Sequence, residues 1–276
     1  MKKALSLVLA LALVLGAAAS AQAQTAPVEL VVFAAASLTE TLEQIAQRYQ
    51  KVAPKVTLTF NFDSSGTLKT QLQEGADCDL FLSAGQKQMN QLDASAQTEQ
   101  NPEGLDFLLR GSRVNLLENK VVLVTAPGNP AGLNSFDDLA KALSGKEILM
   151  AMGNSDVPVG QYTQKIFQYY QLDENQLAQA GKLTYGTNVK EVVTQVAQGS
   201  VDCGVVYCTD AYSAGLTPVA WASPEMCGQI IYPAAVLKAS AHPGEAKAFL
   251  DYLAGPEAME IFEKVGFSPV KDGKTE

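Results

Sequence analysis

The sequence predicts two α/β lobes enclosing a cleft. Three observations carry this. Short β-rich apolar runs alternate with helical periodicity through the first third of the chain. The same alternation restarts near Val121. Pro and Gly punctuate the helices at their ends. The 276 residues suffice for one large or two medium domains with an ample core, and no low-complexity segment or short repeat interrupts them.

In chain order, Glu29 to Ala35 is a buried strand, and Leu42, Ile45, Ala46, Tyr49 and Val52 recur at helical spacing until Pro54. Val56 to Phe62 alternates as a strand. Thr67 to Glu74 is a helix closed by Gly75, and Asp79 to Ser83 is a third strand. This β-α-β-α-β run implies a parallel sheet with helices on both faces. The second unit comprises strands at Val121 to Ala126, Ile148 to Met152, Lys182 to Tyr185 and Val205 to Tyr207, with helices at Pro158 to Tyr170 and Val189 to Gln198. Ile230 to Leu237 is a further strand. Two helices close the chain, Glu245 to Leu253 and Pro256 to Val265, the latter with Gly266 just past its end.

The N-terminus reads as an export signal. Lys2 and Lys3 precede the apolar run Leu5 to Ala19, and Ala21-Gln22-Ala23 fits a cleavage site after Ala23. The first Cys is Cys78, so no lipid attachment is expected at the cleavage point. A free periplasmic protein, expected to be monomeric, is the resulting picture. Loss of the two lysines takes the net charge from -9 to -11, which disfavours nucleic acid or an anionic membrane as partner. His242 is the single His, which removes most His-dependent chemistry, such as His metal clusters, Ser-His-Asp triads and Cys-His dyads. Cys78, Cys203, Cys208 and Cys227 lack a zinc spacing. In an exported chain they suggest one or two disulfides, with Cys203 and Cys208 unsuited to pair with each other.

Ligands of α/β proteins gather where strands end and helices begin. Here four such junctions carry small polar residues. Ser37 follows the first strand, with Glu40 three residues on in capping-box spacing. Asp63-Ser64-Ser65-Gly66-Thr67 follows the second strand. Asp156 precedes Val157-Pro158-Val159-Gly160, and Asn188 precedes Val189. Helix N-termini present backbone N–H groups and a positive dipole end, which favour an anion. No GxGxxG or P-loop is present. Lys69 and Lys190 are the only nearby cations, and both lie within the following helices. An anion held this way meets neutral donors, which suits a fully deprotonated oxyanion. A protonated phosphate also needs an acceptor, and carboxylates are often clamped by Arg.

Seven segments resemble the periplasmic molybdate-binding proteins of ABC importers. They are AAASLT from Ala34, FDSSGTL from Phe62, ADCDLFLSAGQKQM from Ala76, VPVGQY from Val157, NVKEVV from Asn188, VVYCTDA from Val205 and YPAAV from Tyr232. The resemblance runs in order over the mature chain. It implies a type II periplasmic binding protein fold, two α/β lobes with a ligand cleft and crossing hinge strands. It divides the chain into a signal peptide (1–23), lobe 1 (24–117 and 223–276) and lobe 2 (118–222). It further implies molybdate or tungstate as ligand, no cofactor, no direct metal ligands, and an ABC permease in the inner membrane as partner. Carried over by position, Ser37 and Ser65 donate hydroxyl and backbone N–H, Val159 and Val189 donate backbone N–H, and Tyr207 donates its phenol. The family has Ala where this chain has Val159, and the larger side chain is expected to tighten the cleft. Asp63 would repel an anion unless its carboxylate is turned away or engaged. Tyr185, Tyr212 and Tyr232 carry no comparable expectation.

Two alternatives remain at this level. One is another tetrahedral oxyanion such as sulfate. The other is an exported hydrolase with Ser37 or Ser65 as nucleophile, for which His242 is the only His and neither serine opens a Ser-x-x-Lys motif.

Overall fold

A computed structural model describes residues 27–145 and 148–270. The expected signal peptide and its cleavage point lie outside the described residues. Strand β1 (Val28–Ala35) is apolar and buried at its carboxyl end. One 3₁₀ turn, Ala36–Leu38, leads into helix α1 (Thr39–Val52), which buries Leu42, Ile45 and Tyr49. Val52, expected on that apolar stripe, is exposed at the helix end. Strand β2 (Val56–Asp63), α2 (Ser65–Gln73), β3 (Leu80–Leu82), the short α3 (Gln86–Asn90) and β4 (Val114–Asn119) follow.

Lys120 alone separates β4 from β5 (Val121–Thr125), which opens a second sheet. The next elements are α4 (Phe136–Gly145), β6 (Met150–Gly153), α5 (Pro158–Tyr169), α6 (Glu174–Gln179) and β7 (Leu183–Gly186). They are followed by α7 (Val189–Ala197), β8 (Cys203–Tyr207), α8 (Cys208–Ser213) and β9 (Ala220–Trp221). The chain then returns through α9 (Pro224–Cys227) to β10 (Ile230–Val236), α10 (Pro243–Leu253), α11 (Pro256–Val265) and β11 (Ser268–Pro269). Gly266 closes α11 with a left-handed φ of 110°.

The strand orders are β11-β4-β10-β3-β1-β2 and β7-β6-β8-β5-β9. Neither sheet is purely parallel, contrary to the simplest reading of the alternation. Strands β1, β2 and β3 run parallel, as do β6, β7 and β8. Strand β10 is antiparallel to both β3 and β4, and β5 is antiparallel to β8. These exceptions adjoin the crossings between sheets, where no crossover helix imposes a direction. Helices pack on both faces. The main apolar cluster spans both sheets, and a second, around Phe33, Leu68 and Phe81, covers the other face of the first sheet.

All four cysteines are free, which corrects the expectation of disulfides. Cys78 precedes β3 in the first sheet, whereas Cys203 opens β8 in the second. Burial pushes the Cys78 and Cys203 thiols up to about 12 and Cys227 up to about 11, so all three stay protonated and inert. The melting temperature should therefore be unchanged by reductant, and the denatured protein should titrate four thiols. Fewer than four, with a melting point lowered by reductant, contradicts this.

Candidate functional site

All five residues singled out as donors, Ser37, Ser65, Val159, Val189 and Tyr207, wall one small cavity of about 10 Å³ between the sheets. All five are buried. Each is placed by a strand end or a helix start. Ser37 lies in the 3₁₀ turn after β1. Ser65 begins α2 behind Ser64, whose hydroxyl accepts the Thr67 N–H at 3.1 Å. Val159 is the second residue of α5, after Pro158. Val189 begins α7 behind Asn188, whose side chain accepts the Glu191 N–H at 3.2 Å. Tyr207 ends β8. First-turn N–H groups have no acceptor within their own helix, so three helix starts converge as donors.

The hydroxyls share one arrangement. Ser65 Oγ accepts the Ala84 N–H at 2.9 Å, which leaves its own proton to donate. Ser37 Oγ lies 2.9 Å from Tyr232 Oη. Tyr207 Oη is 3.4 Å from the Ala84 carbonyl, long for an O–H donor, so a closer acceptor competes easily. Burial pushes the Tyr207 and Tyr232 phenols well above their ordinary range, so both remain protonated. Among the described residues no Lys or Arg lines the cavity, and the one carboxyl side chain there is that of Asp63. Asp63 Oδ1 accepts the Ser64 N–H at 2.7 Å and the Asn188 amide at 3.4 Å, which engages the oxygen that raised concern in the sequence. Val159 is fully buried and lines the cavity.

Two local expectations fail for tertiary reasons. The capping box does not form: Leu38 is the N-cap of α1 and makes no side-chain cap bond. Glu40 instead holds Lys190 of α7 at 2.8 Å through both carboxylate oxygens. Asp156 does not cap α5; Val157 occupies that position. Lys190 also lies 3.2 Å from Asp210, which is fully buried, and burial pushes the Asp210 carboxyl up to about 6 against the pull of that ammonium.

Three contributors were missed in the sequence. Tyr232, on β10, touches Ser37, and Asn119, at the end of β4, donates to Tyr232 Oη at 3.1 Å. The sequence signal for Tyr232 was limited to the YPAAV segment, and Asn119 had none. The third is Gly66, next to the cavity-lining Ser65, where a Cβ would stand 2.2 Å from the Asp156 carbonyl oxygen of the other half. His242 sits half-buried at the start of α10 and does not line the cavity. The serine hydroxyls thus meet a phenol and a backbone N–H rather than a general base.

A family model described as bacterial extracellular solute-binding protein matches residues 30–268. The chain is 31% identical to the molybdate-binding protein ModA of Haemophilus influenzae over 249 residues, covering 88% of this chain and 91% of that one. It is 31% identical to ModA of Escherichia coli over 245 residues, covering 87% and 89%. The solved periplasmic molybdate-binding protein of Azotobacter vinelandii superposes with a TM-score of 0.73 at 24% identity, covering 88% of this chain and all of that one.

Proposed function

The chain belongs to the bacterial extracellular solute-binding protein family, and from that premise we propose that it captures molybdate, and tungstate, outside the cytoplasm for an ABC importer. The observation that carries this is the cavity itself: strand ends and helix starts beside both sheets meet there, and among the described residues no cation lines it. A molybdate or tungstate dianion presents only acceptors, so five neutral donor residues satisfy it without a charged partner. Nanomolar affinity requires about 12 kcal/mol, a scale that several charge-assisted hydrogen bonds in a dry cavity can reach.

In this reading the hydroxyls of Ser37, Ser65 and Tyr207 and the backbone N–H groups of Ser37, Ser65, Val159 and Val189 surround one anion. The first sheet with its helices forms one lobe and the second sheet with its helices the other. The anion bridges them, and its contacts to both favour the closed arrangement, which the permease recognises. The protein acts as a monomeric periplasmic carrier after cleavage behind Ala23. The ModA relatives carry molybdate in their names, which supports the choice of ligand.

One observation favours a second reading. The Asp63 carboxylate at the cavity wall is an acceptor that a protonated phosphate could use. Calorimetric titration with molybdate, tungstate, sulfate and phosphate separates the readings. Tight one-to-one binding of molybdate and tungstate is expected, with sulfate and phosphate far weaker. Tight sulfate or phosphate binding without molybdate binding overturns the proposal.

A further inference from the structure

We propose that Asn119 and Tyr232 are positioning residues that fix the direction of the Ser37 hydroxyl, so that its proton faces the cavity before any ligand arrives. The inference rests on the oxyanion reading of the site. It starts from the orientation of one amide. Asn119 Oδ1 accepts the Lys120 N–H at 2.8 Å and faces the Cys208 thiol at 3.3 Å. Both neighbours are donors, so the oxygen belongs on that side and the NH₂ group must point the other way. There its two protons meet Thr209 Oγ1 at 3.0 Å and Tyr232 Oη at 3.1 Å.

Tyr232 Oη therefore accepts from Asn119. Its own proton is protected from loss by complete burial and has Ser37 Oγ as an acceptor at 2.9 Å. With that bond made, Ser37 Oγ is an acceptor toward Tyr232, and its remaining proton is turned toward the cavity it lines. The direction of donation runs Asn119 to Tyr232 to Ser37 to anion. Asn119 also ends β4, one residue before the crossing into the second sheet, and Thr209 lies in α8 beyond that crossing. The same amide thus ties the hydroxyl's orientation to the packing at the crossing. A donor already aimed avoids the reorganisation that a freely rotating hydroxyl undergoes on binding.

The test is a double-mutant cycle in molybdate affinity, read by calorimetry, with Ser37→Ala, Tyr232→Phe and the double variant. Phenylalanine keeps the ring that packs edge-on against Tyr207 and Phe267, and ligand-free thermal unfolding checks that the fold is retained. Each single change should weaken binding about tenfold, the scale of one net hydrogen bond. In the Ser37→Ala background, Tyr232→Phe should cost nothing further, because the residue acts only through that hydroxyl. Additive losses, or an unchanged affinity for Tyr232→Phe, overturn the inference. Asn119→Ala provides a second route should Tyr232→Phe not fold; its loss should likewise vanish in the Ser37→Ala background, and an additive loss overturns the inference equally. If the wild-type protein binds none of the four oxyanions, the reading of the site itself falls and this inference with it.

Discussion

Replacing Gly66 by alanine is expected to weaken molybdate binding about 10- to 100-fold while leaving the ligand-free protein as stable as before or slightly more so. A Cβ at this position would stand 2.2 Å from the Asp156 carbonyl oxygen and 3.0 Å from that residue's carbonyl carbon and Cβ. The obstacle is backbone, which cannot swing aside as a long side chain does. Gly66 belongs to α2 beside the first sheet, and Asp156 precedes α5 beside the second. The overlap therefore falls between the two halves and opposes their approach. Overpacking of this kind costs about 1–3 kcal/mol, which gives the range of affinity loss. Within α2 alone, alanine is the better helix former by about 0.5–1 kcal/mol. Affinity and ligand-free stability should thus move in different directions. Calorimetry paired with thermal unfolding checks this, and an affinity loss matched by an equal loss of ligand-free stability contradicts it.

The second large effect concerns a backbone atom. Val189→Pro should weaken molybdate binding about 10- to 100-fold while α7 stays intact. Val189 is the first residue of that helix, where proline is well tolerated because the N–H has no intrahelical acceptor. Asn188 before it is extended, at φ -152° and ψ 173°, as a residue preceding proline should be. Proline is also close to valine in bulk, so the apolar packing of this buried position changes little. What disappears is one first-turn N–H of a residue lining the cavity, and a bond from it to a charged ligand would carry about 1.5–3 kcal/mol. Circular dichroism should be unaltered. Unchanged affinity removes Val189 from the site.

The parts of this fold written in local chemistry were legible. Helix α11 was bounded by Pro256 and Gly266, and Asn188 was placed directly before the start of α7, which it caps, because both signals act within a few residues. The five expected donors were named through the family resemblance, four of them at junctions that spacing had already marked, and the structure brings all five to one cavity. Strand β4 was missed. It is only half buried, and its partner β10 lies more than a hundred residues away. The capping box at Ser37 failed for a related reason: a local bond to Glu40 lost to Lys190, 150 residues distant. The link from Ser37 to Tyr232 spans 195 residues. Neither contact leaves a trace in spacing or periodicity. The cysteines make the same point, since composition permitted bridges and only the three-dimensional arrangement decided against them.

The place of β10 in its sheet has a consequence for the order in which the molecule can be completed. All five strands of the second sheet lie within residues 121–221, one uninterrupted stretch. The first sheet cannot be finished from an early fragment, because β10 fills the gap between β3 and β4 and ends at Val236. A nascent or emerging chain of 221 residues therefore holds every strand of one sheet and a split version of the other. During that interval β3 and β4 present unpaired edges toward the missing strand, the kind of exposed template that invites wrong partners until it is filled. The half of the protein that begins first is the half that closes last.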